Sequence, residues 1–213
     1  AALILTHGRA NNVKTVKSLQ KAGYTGRYYI VIDDEDSQED EYRRIYGDRV
    51  IRFCKEARAK ITDVGDTSKE RRCIIFARNE AFAIARNLGL KYFIELDDDY
   101  NNFEYLAEEN GKMKHIKVKQ LDKVLEAMID FLDVSGAKTV AMAQGGDMIG
   151  GIKSPRWKQM LLRKAMNSFI CRVDNPVNFV GRINEDVNTY VTGGIRGELY
   201  FTTLKVMLNQ EPT

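Results

Sequence analysis

Over its first hundred residues the chain alternates short apolar runs with segments of helical period, and most of the runs end on polar or acidic groups. Leu3–Thr6 leads into the turn-like His7-Gly8-Arg9, Tyr28–Ile32 into Asp33-Asp34, and Lys91–Leu96 into Asp97-Asp98-Asp99. Val50–Phe53 is a further strand candidate. Between these runs, Asn11 or Asn12 is placed to cap a helix reaching about Ala22, with Gly23 as its stop. Glu39–Tyr46 reads as a second helix closed by Gly47. From Arg78 to Leu88 the apolar residues Ala81, Ile84, Ala85 and Leu88 recur at helical spacing, and Gly89 ends that helix. Residues 55–72 are polar and charged and read as a loop. This alternation implies an α/β sandwich, three layers deep, around a mostly parallel sheet. In such a sheet ligands bind beyond the carboxyl ends of the strands. Thr6, His7, Gly8, Arg9, Asp33, Asp34 and the 97–99 carboxylates are therefore expected along one edge.

The second half is less regular. A charged excursion runs to Lys119, and Leu121, Val124, Leu125 and Met128 then mark a strong helix. Thr139–Ala143 reads as a small strand, Gln144–Gly151 as a glycine-rich loop, and Trp157–Ile170 as helix or strand. With 213 residues, one domain is the economical reading. Residues 1–100 would form one half of it and 101–213 the other. The chain lacks an initiator Met and ends in NQEPT, so truncation at the C-terminus is an expectation.

Charge is uneven rather than large: the net is +3, yet residues 31–42 hold seven acids and no base. Residues 151–173 hold six bases and no acid. Such blocks are solvated faces, or else two poles, one for a metal or sugar and one for an anionic partner. No apolar run approaches the ~18 residues of a membrane span, and AALILTHGRA lacks the basic start and long apolar middle of a signal peptide. A cytoplasmic protein without membrane contact is expected. Cys54, Cys73 and Cys171 form no CxxC pair and are expected to be reduced core thiols.

Three adjacent carboxylates after a buried strand repel one another unless a cation or hydrogen-bond donors compensate them. Mg²⁺ and Mn²⁺ take oxygen ligands and accept one or two carboxylates beside phosphate oxygens. Asp97-Asp98-Asp99 thus suits a metal–diphosphate site or, taken alone, a solvated acidic turn. Arg78, at a helix start, favours anionic oxygens or an ion pair with Glu80 or Glu95.

The stretch IIFARNEAFAIARNLGLKYFIELDDDY resembles the central signature of inverting glycosyltransferases with the Rossmann-like GT-A fold. ILTHGRANNVKTVKSLQKAGYTGRYYIVIDDEDSQED resembles the opening of the same family, in the expected order. The resemblance implies that Thr6 and Asp34, with Asp33 beside them, contact the nucleobase and ribose of a UDP-sugar. It implies that His7, Gly8 and Arg9 belong to the same donor-binding opening, that residues 1–100 are the nucleotide-sugar-binding half and that 101–213 are the acceptor-binding half. It implies Arg78 near the diphosphate or base, Asp98 on the ribose or sugar, and Asp97 and Asp99 on Mn²⁺ or Mg²⁺, with Asp99 the direct ligand.

In that family a Glu-Asp pair opens a helix after a glycine-rich loop. An inverting transfer needs a carboxylate to take the acceptor proton. Asp186 is the implied base and Glu185 the second candidate; otherwise both are acids complementing a helix dipole. The family often adds a His metal ligand in a C-terminal segment, and none follows Asp186 here.

The THGRANN opening, the GGDMIGG loop and the tail from NEDVNTYVT to NQEPT resemble the TET-associated glycosyltransferases of bacteriophages. That resemblance implies a nucleotide-sugar donor and a DNA acceptor with hydroxymethylated pyrimidines, the base extruded from the stack. Gly145, Gly146 and Asp147 would line the donor sugar or acceptor pocket, or make an ordinary tight connection. Trp157 and Lys158 would contact the acceptor's bases and phosphates, or Trp157 is a core anchor beside a solvated face.

Overall fold

The computed structural model describes residues 1–144, 146, 149–158 and 164–210, without the side chains of Arg156 and Lys158. In chain order it runs β1 (Ala2–Leu5), α1 (Lys14–Lys21), β2 (Tyr28–Asp33), α2 (Glu39–Tyr46) and β3 (Val50–Phe53). Next come α3 (Lys55–Ala59), α4 (Ile75–Asn87), β4 (Tyr92–Asp97), β5 (Tyr100–Glu109) and β6 (Lys112–Lys117). The remainder is α5 (Leu121–Ser135), β7 (Thr139–Gln144), α6 (Pro155–Lys158), β8 (Ile170–Arg172), α7 (Glu185–Ile195) and β9 (Tyr200–Gln210).

Among the described residues the strands form one sheet in the order β3-β2-β1-β4-β8-β7-β9-β5-β6. The four N-terminal strands are mutually parallel. Beyond them β8 is antiparallel to both β4 and β7, while β9 runs parallel to β7 and antiparallel to β5. The mostly parallel α/β sandwich is therefore present, and every antiparallel pairing involves a strand of the second half.

Side-chain alternation along the strands builds the three layers. Ala2, Ile4, Ile30, Ile32, Ile94 and Leu96 face one core with α1, α2 and α5. Leu3, Leu5, Val31 and Phe93 face the other with α4. The same parity turns Glu95 and Asp97 toward α4, which decides the chemistry below.

Several local expectations are corrected. Neither Asn11 nor Asn12 caps α1: residues Ala10–Asn12 make a 3₁₀ turn, and no side chain caps the helix. Within 55–72 a five-residue helix forms, α3. The charged excursion to Lys119 is the β5–β6 hairpin. Of the cysteines only Cys171 is a core thiol, for Cys54 is exposed and Cys73 half-buried, and all are free. No helix among the described residues is long and apolar enough to cross a membrane.

Candidate active site

Strand register sets the site. Leu5 pairs with both Val31 and Asp97, and Asp33 pairs with Phe53, so β1, β2, β3 and β4 end at one level. The residues just past those ends meet there. Thr6 Oγ1 donates to Asp98 Oδ2 at 2.5 Å and lies 2.9 Å from the Tyr42 hydroxyl. Arg9 donates to Asp98 Oδ1 at 3.0 Å and lies 4.0 Å from Asp99. His7 Nδ1 meets Asp33 at 2.9 Å, and the Gly8 N–H donates to Asp36 at 2.8 Å.

Asp33 and Asp34 diverge, as successive residues at a strand end must. Asp33 is buried and shared between His7 and the buried Lys55 ammonium, 3.2 Å away. Asp34 is exposed and accepts the Lys55 backbone N–H at 2.9 Å, which holds its pKa below the usual carboxylate value. Asp36, which no motif marks, orders the turn by accepting the Gly8 N–H.

The triplet divides its labour. Asp98 is buried, and burial raises its pKa against the opposing pull of Thr6 and Arg9. Asp97 accepts from Arg78 at 3.3 Å and from the Asn167 amide at 3.1 Å. Asp99 accepts from the Gln210 amide at 3.1 Å through Oδ2, while its Oδ1 is buried with no hydrogen-bond partner. A buried carboxylate oxygen without a donor is costly unless something fills the gap. Among the described residues, no three His, Cys, Asp or Glu side chains form a metal cluster.

Arg78 is not a surface group. Its side chain is 4% exposed and lies under the site, 3.0 Å from Glu185, 3.3 Å from Asp97 and 3.5 Å from Glu95. Phe169 and Phe179 cover the guanidinium at 5.2 and 5.8 Å from their ring centroids. Burial alone would lower its pKa, but the charges of Asp97, Glu95 and Glu185 outweigh that and raise it. Glu95 is fully buried, and neither of its oxygens accepts a hydrogen bond. Desolvation pushes its pKa up to about 8 despite Arg78, with Asp97 and Glu185 adding to the rise. One cation thus underlies three carboxylates.

Glu185 and Asp186 open α7 after Asn184, whose φ of 53° turns the chain into the helix. Glu185 is committed to Arg78. Asp186, about 100° further round the helix, is half-buried and accepts no hydrogen bond from a described residue.

Asn167 and Gln210 are site residues that no motif announced. Asn167 also accepts from Gln144 and reaches the Gln210 side-chain carbonyl at 3.4 Å, closing a chain from Asp97 to Asp99. Gln210 arrives there because β9 pairs with β5, with Gln210 opposite Tyr100. Gly145 and Asp147, and the side chain of Lys158, lie outside the described residues, while Gly146 is exposed. Trp157 packs beside Leu106, Met207 and Leu204, the position of a core anchor. An apolar cleft of about 580 Å³ between α5 and β9 contains none of these carboxylates.

The whole chain, residues 1–213, matches the family of TET-Associated Glycosyltransferase. No curated protein matches. Among solved structures the chain is similar to a mycobacterial protein at 10% identity and a TM-score of 0.52, covering 100% of this chain and 67% of that one. It is also similar to CMP:2-keto-3-deoxy-manno-octonic acid synthetase complexed with CTP, at 9% identity and a TM-score of 0.51. That match covers 95% of this chain and 88% of the other. At such identities these likenesses establish the fold alone.

Proposed function

The chain belongs to the TET-associated glycosyltransferase family, and from that premise we propose that it moves a sugar from a UDP-sugar to the hydroxyl of a hydroxymethylated pyrimidine in DNA. The observation that carries the reading is the junction at the sheet edge. There Thr6 and Arg9 donate hydrogen bonds to Asp98 while Asp99 keeps a buried oxygen without a partner.

The donor set suits a hard divalent cation. Asp99 would hold Mn²⁺ or Mg²⁺ through Oδ1, with Asp97 beside it; such ions retain water and accept phosphate oxygens in place of a full protein cage. Gln210 would hold Asp99 in place for the cation, since its side-chain N–H donates to Asp99 Oδ2. When bound, the cation supplies charge neutralisation for the departing nucleoside diphosphate.

The protein's own groups account for the rest. Arg9 is half-exposed and keeps guanidinium N–H groups for diphosphate oxygens. His7, Gly8, Asp33 and Asp34 border the nucleoside end of the same edge. Asp186, free of internal donors, takes the acceptor proton as the hydroxyl oxygen attacks the anomeric carbon with inversion. Glu185 is less suited, because Arg78 already holds its charge. Gly146, with Gly145, Asp147 and Lys158, would form the acceptor side.

The test is incubation with labelled UDP-glucose, Mn²⁺ and duplex DNA, either plain or hydroxymethylated. Label on hydroxymethylated DNA alone, with release of UDP, is the expected result. Asp99→Ala should abolish the metal-stimulated part. Full metal-dependent turnover in Asp99→Ala would remove the cation assignment. Release of pyrophosphate instead of UDP would make the chain a nucleotidyltransferase, and label only on polysaccharide, lipid or protein would replace the acceptor.

A further inference from the structure

A recess of about 150 Å³ lies between α1 and the β5–β6 hairpin, on the strand that leaves the acidic triplet. Lys21, Lys117 and Lys119 line it, with Ser18 and Asn102, and no acid does. All three lysines are exposed. Their ammonium groups make no hydrogen bond or ion pair among the described residues.

Acids on the hairpin and at the start of α5 are engaged elsewhere. Glu104 is held by His115 at 2.9 Å, Glu109 by Lys114, and Asp122 by the Thr25 N–H and hydroxyl. From residue 110 to 121 the sequence has four lysines, one histidine and no acid.

The walls of the recess are fixed by backbone contacts. The Leu121 N–H donates to the Ala22 carbonyl at 2.9 Å, and the Val118 N–H to Phe103 at 2.9 Å. Ser18 Oγ bonds the Tyr100 and Asn101 carbonyls at 2.6 and 2.8 Å. Gly23, at φ +81°, lies so close to the Lys119 carbonyl that a Cβ would stand 2.2 Å from its oxygen. A glycine is needed there for the Lys119 segment to dock.

Lysines on an edge strand guard against aggregation, and a lysine in the last turn of a helix complements its dipole. Neither role gathers cations from a helix end, a strand and a loop into one concavity, where they repel one another. The recess is smaller than the ~300 Å³ at which small-molecule sites begin, so it excludes a nucleoside and admits a phosphate group. Asn102 stands three residues beyond Asp99, about 10 Å along a strand, or about three base-pair rises of duplex DNA.

We propose that this lysine recess binds phosphodiester groups of the acceptor DNA and so seats the duplex with its reacting base toward the acidic site. The assignment of DNA as partner rests on the function proposed above. Phosphate contacts of this kind set register and contribute salt-dependent affinity without reading sequence.

The experiment measures binding and transfer separately. Fluorescence anisotropy with a labelled hydroxymethylated duplex gives the slope of log K against log salt, with no donor present. Lys21→Gln, Lys117→Gln and Lys119→Gln combined should lower that slope by about 2.7, at ~0.9 for each phosphate no longer neutralised. The same substitutions to Arg should restore it. The ratio of kcat/KM for the duplex to that for the free hydroxymethylated nucleoside should fall at least about tenfold with weaker seating. If the combined variant does not fold, each single substitution should lower the slope by about 0.9.

An unchanged slope in variants that melt like the parent overturns the recess, even if sugar transfer to DNA is intact. A lysine-dependent slope without any transfer to hydroxymethylated DNA upholds the recess and overturns the proposed reaction instead.

Discussion

Glu95→Gln isolates a fully buried carboxyl that lacks a hydrogen-bond donor. Glu95 is 0% exposed, sits 3.5 Å from Arg78 and has no hydrogen bond on either oxygen. Arg78 must also answer Asp97 and Glu185, so its single charge cannot balance all three acids. Burial therefore dominates and raises Glu95 from an ordinary 4.5 to about 8. The sign follows from linkage. Below pH 4.5 both the folded and unfolded chains carry the proton. Between 4.5 and about 8 only the folded chain keeps it, so stability is lost as pH rises through that window. At 1.36 kcal/mol per pH unit the interval amounts to about 5 kcal/mol. Glutamine has nearly the same shape and no proton to lose.

Urea unfolding of both proteins at pH 4.5, 6 and 8, in chelator and with equal m-values, should show the variant gaining on the parent as pH rises. The gain should approach about 5 kcal/mol by pH 8. A flat difference, or a parent that gains on the variant, would mean that Glu95 is ionised against Arg78. The conclusion that burial outweighs Arg78 at Glu95 would then be wrong.

Arg78→Met leaves Glu95, Asp97 and Glu185 together without their cation. Breaking a buried ionic cluster from one side costs about 3–5 kcal/mol, which for a chain of this size lowers Tm by about 6–20 °C. Calorimetry would show it, and a Tm within 2 °C or so of the parent would contradict the burial of that network. Asp186→Asn should retain UDP-sugar binding by calorimetric titration while losing transfer by about 10²–10⁴. Transfer at the parental rate would move the base role elsewhere.

The N-terminal half was legible because buried parallel strands are continuous apolar runs that stop abruptly at polar residues. Leu3–Thr6, Tyr28–Ile32 and Lys91–Leu96 all announce themselves in this way, and so does the edge where they end. The β5–β6 hairpin was not legible, since its outer strand Lys112–Lys117 is almost wholly exposed and carries no apolar alternation. At five residues, α3 is too short for periodicity to show. The resemblance already set Asp98 apart from Asp97 and Asp99, but not the contacts of each: Asp97 faces α4, Asp98 faces Thr6 and Arg9, and Asp99 faces the last strand. That division depends on the parity of β4 and on which strand lies beside β5, neither of which composition reveals.

For Arg78 the sequence offers anionic ligands or an ion pair with Glu80 or Glu95, and the Glu95 pair is the one present. Its place at the start of a helix suggested a group reaching outward to anionic ligands. The turn of α4 that puts Phe76, Phe82 and Ala85 into the core also puts Arg78 there, and the matching parity of β4 supplies Glu95 and Asp97 from below. The guanidinium is then used up inside the protein. Attraction of a donor diphosphate has to come from elsewhere, and Arg9, half-exposed and paired with Asp98, is placed at the triplet to supply it. Asn167, Glu185 and Gln210, all from the second half, meanwhile fix Asp97, Arg78 and Asp99. The candidate donor site is thus finished by residues more than sixty positions beyond its motif, because β9 returns to pair with the strand that leaves the triplet.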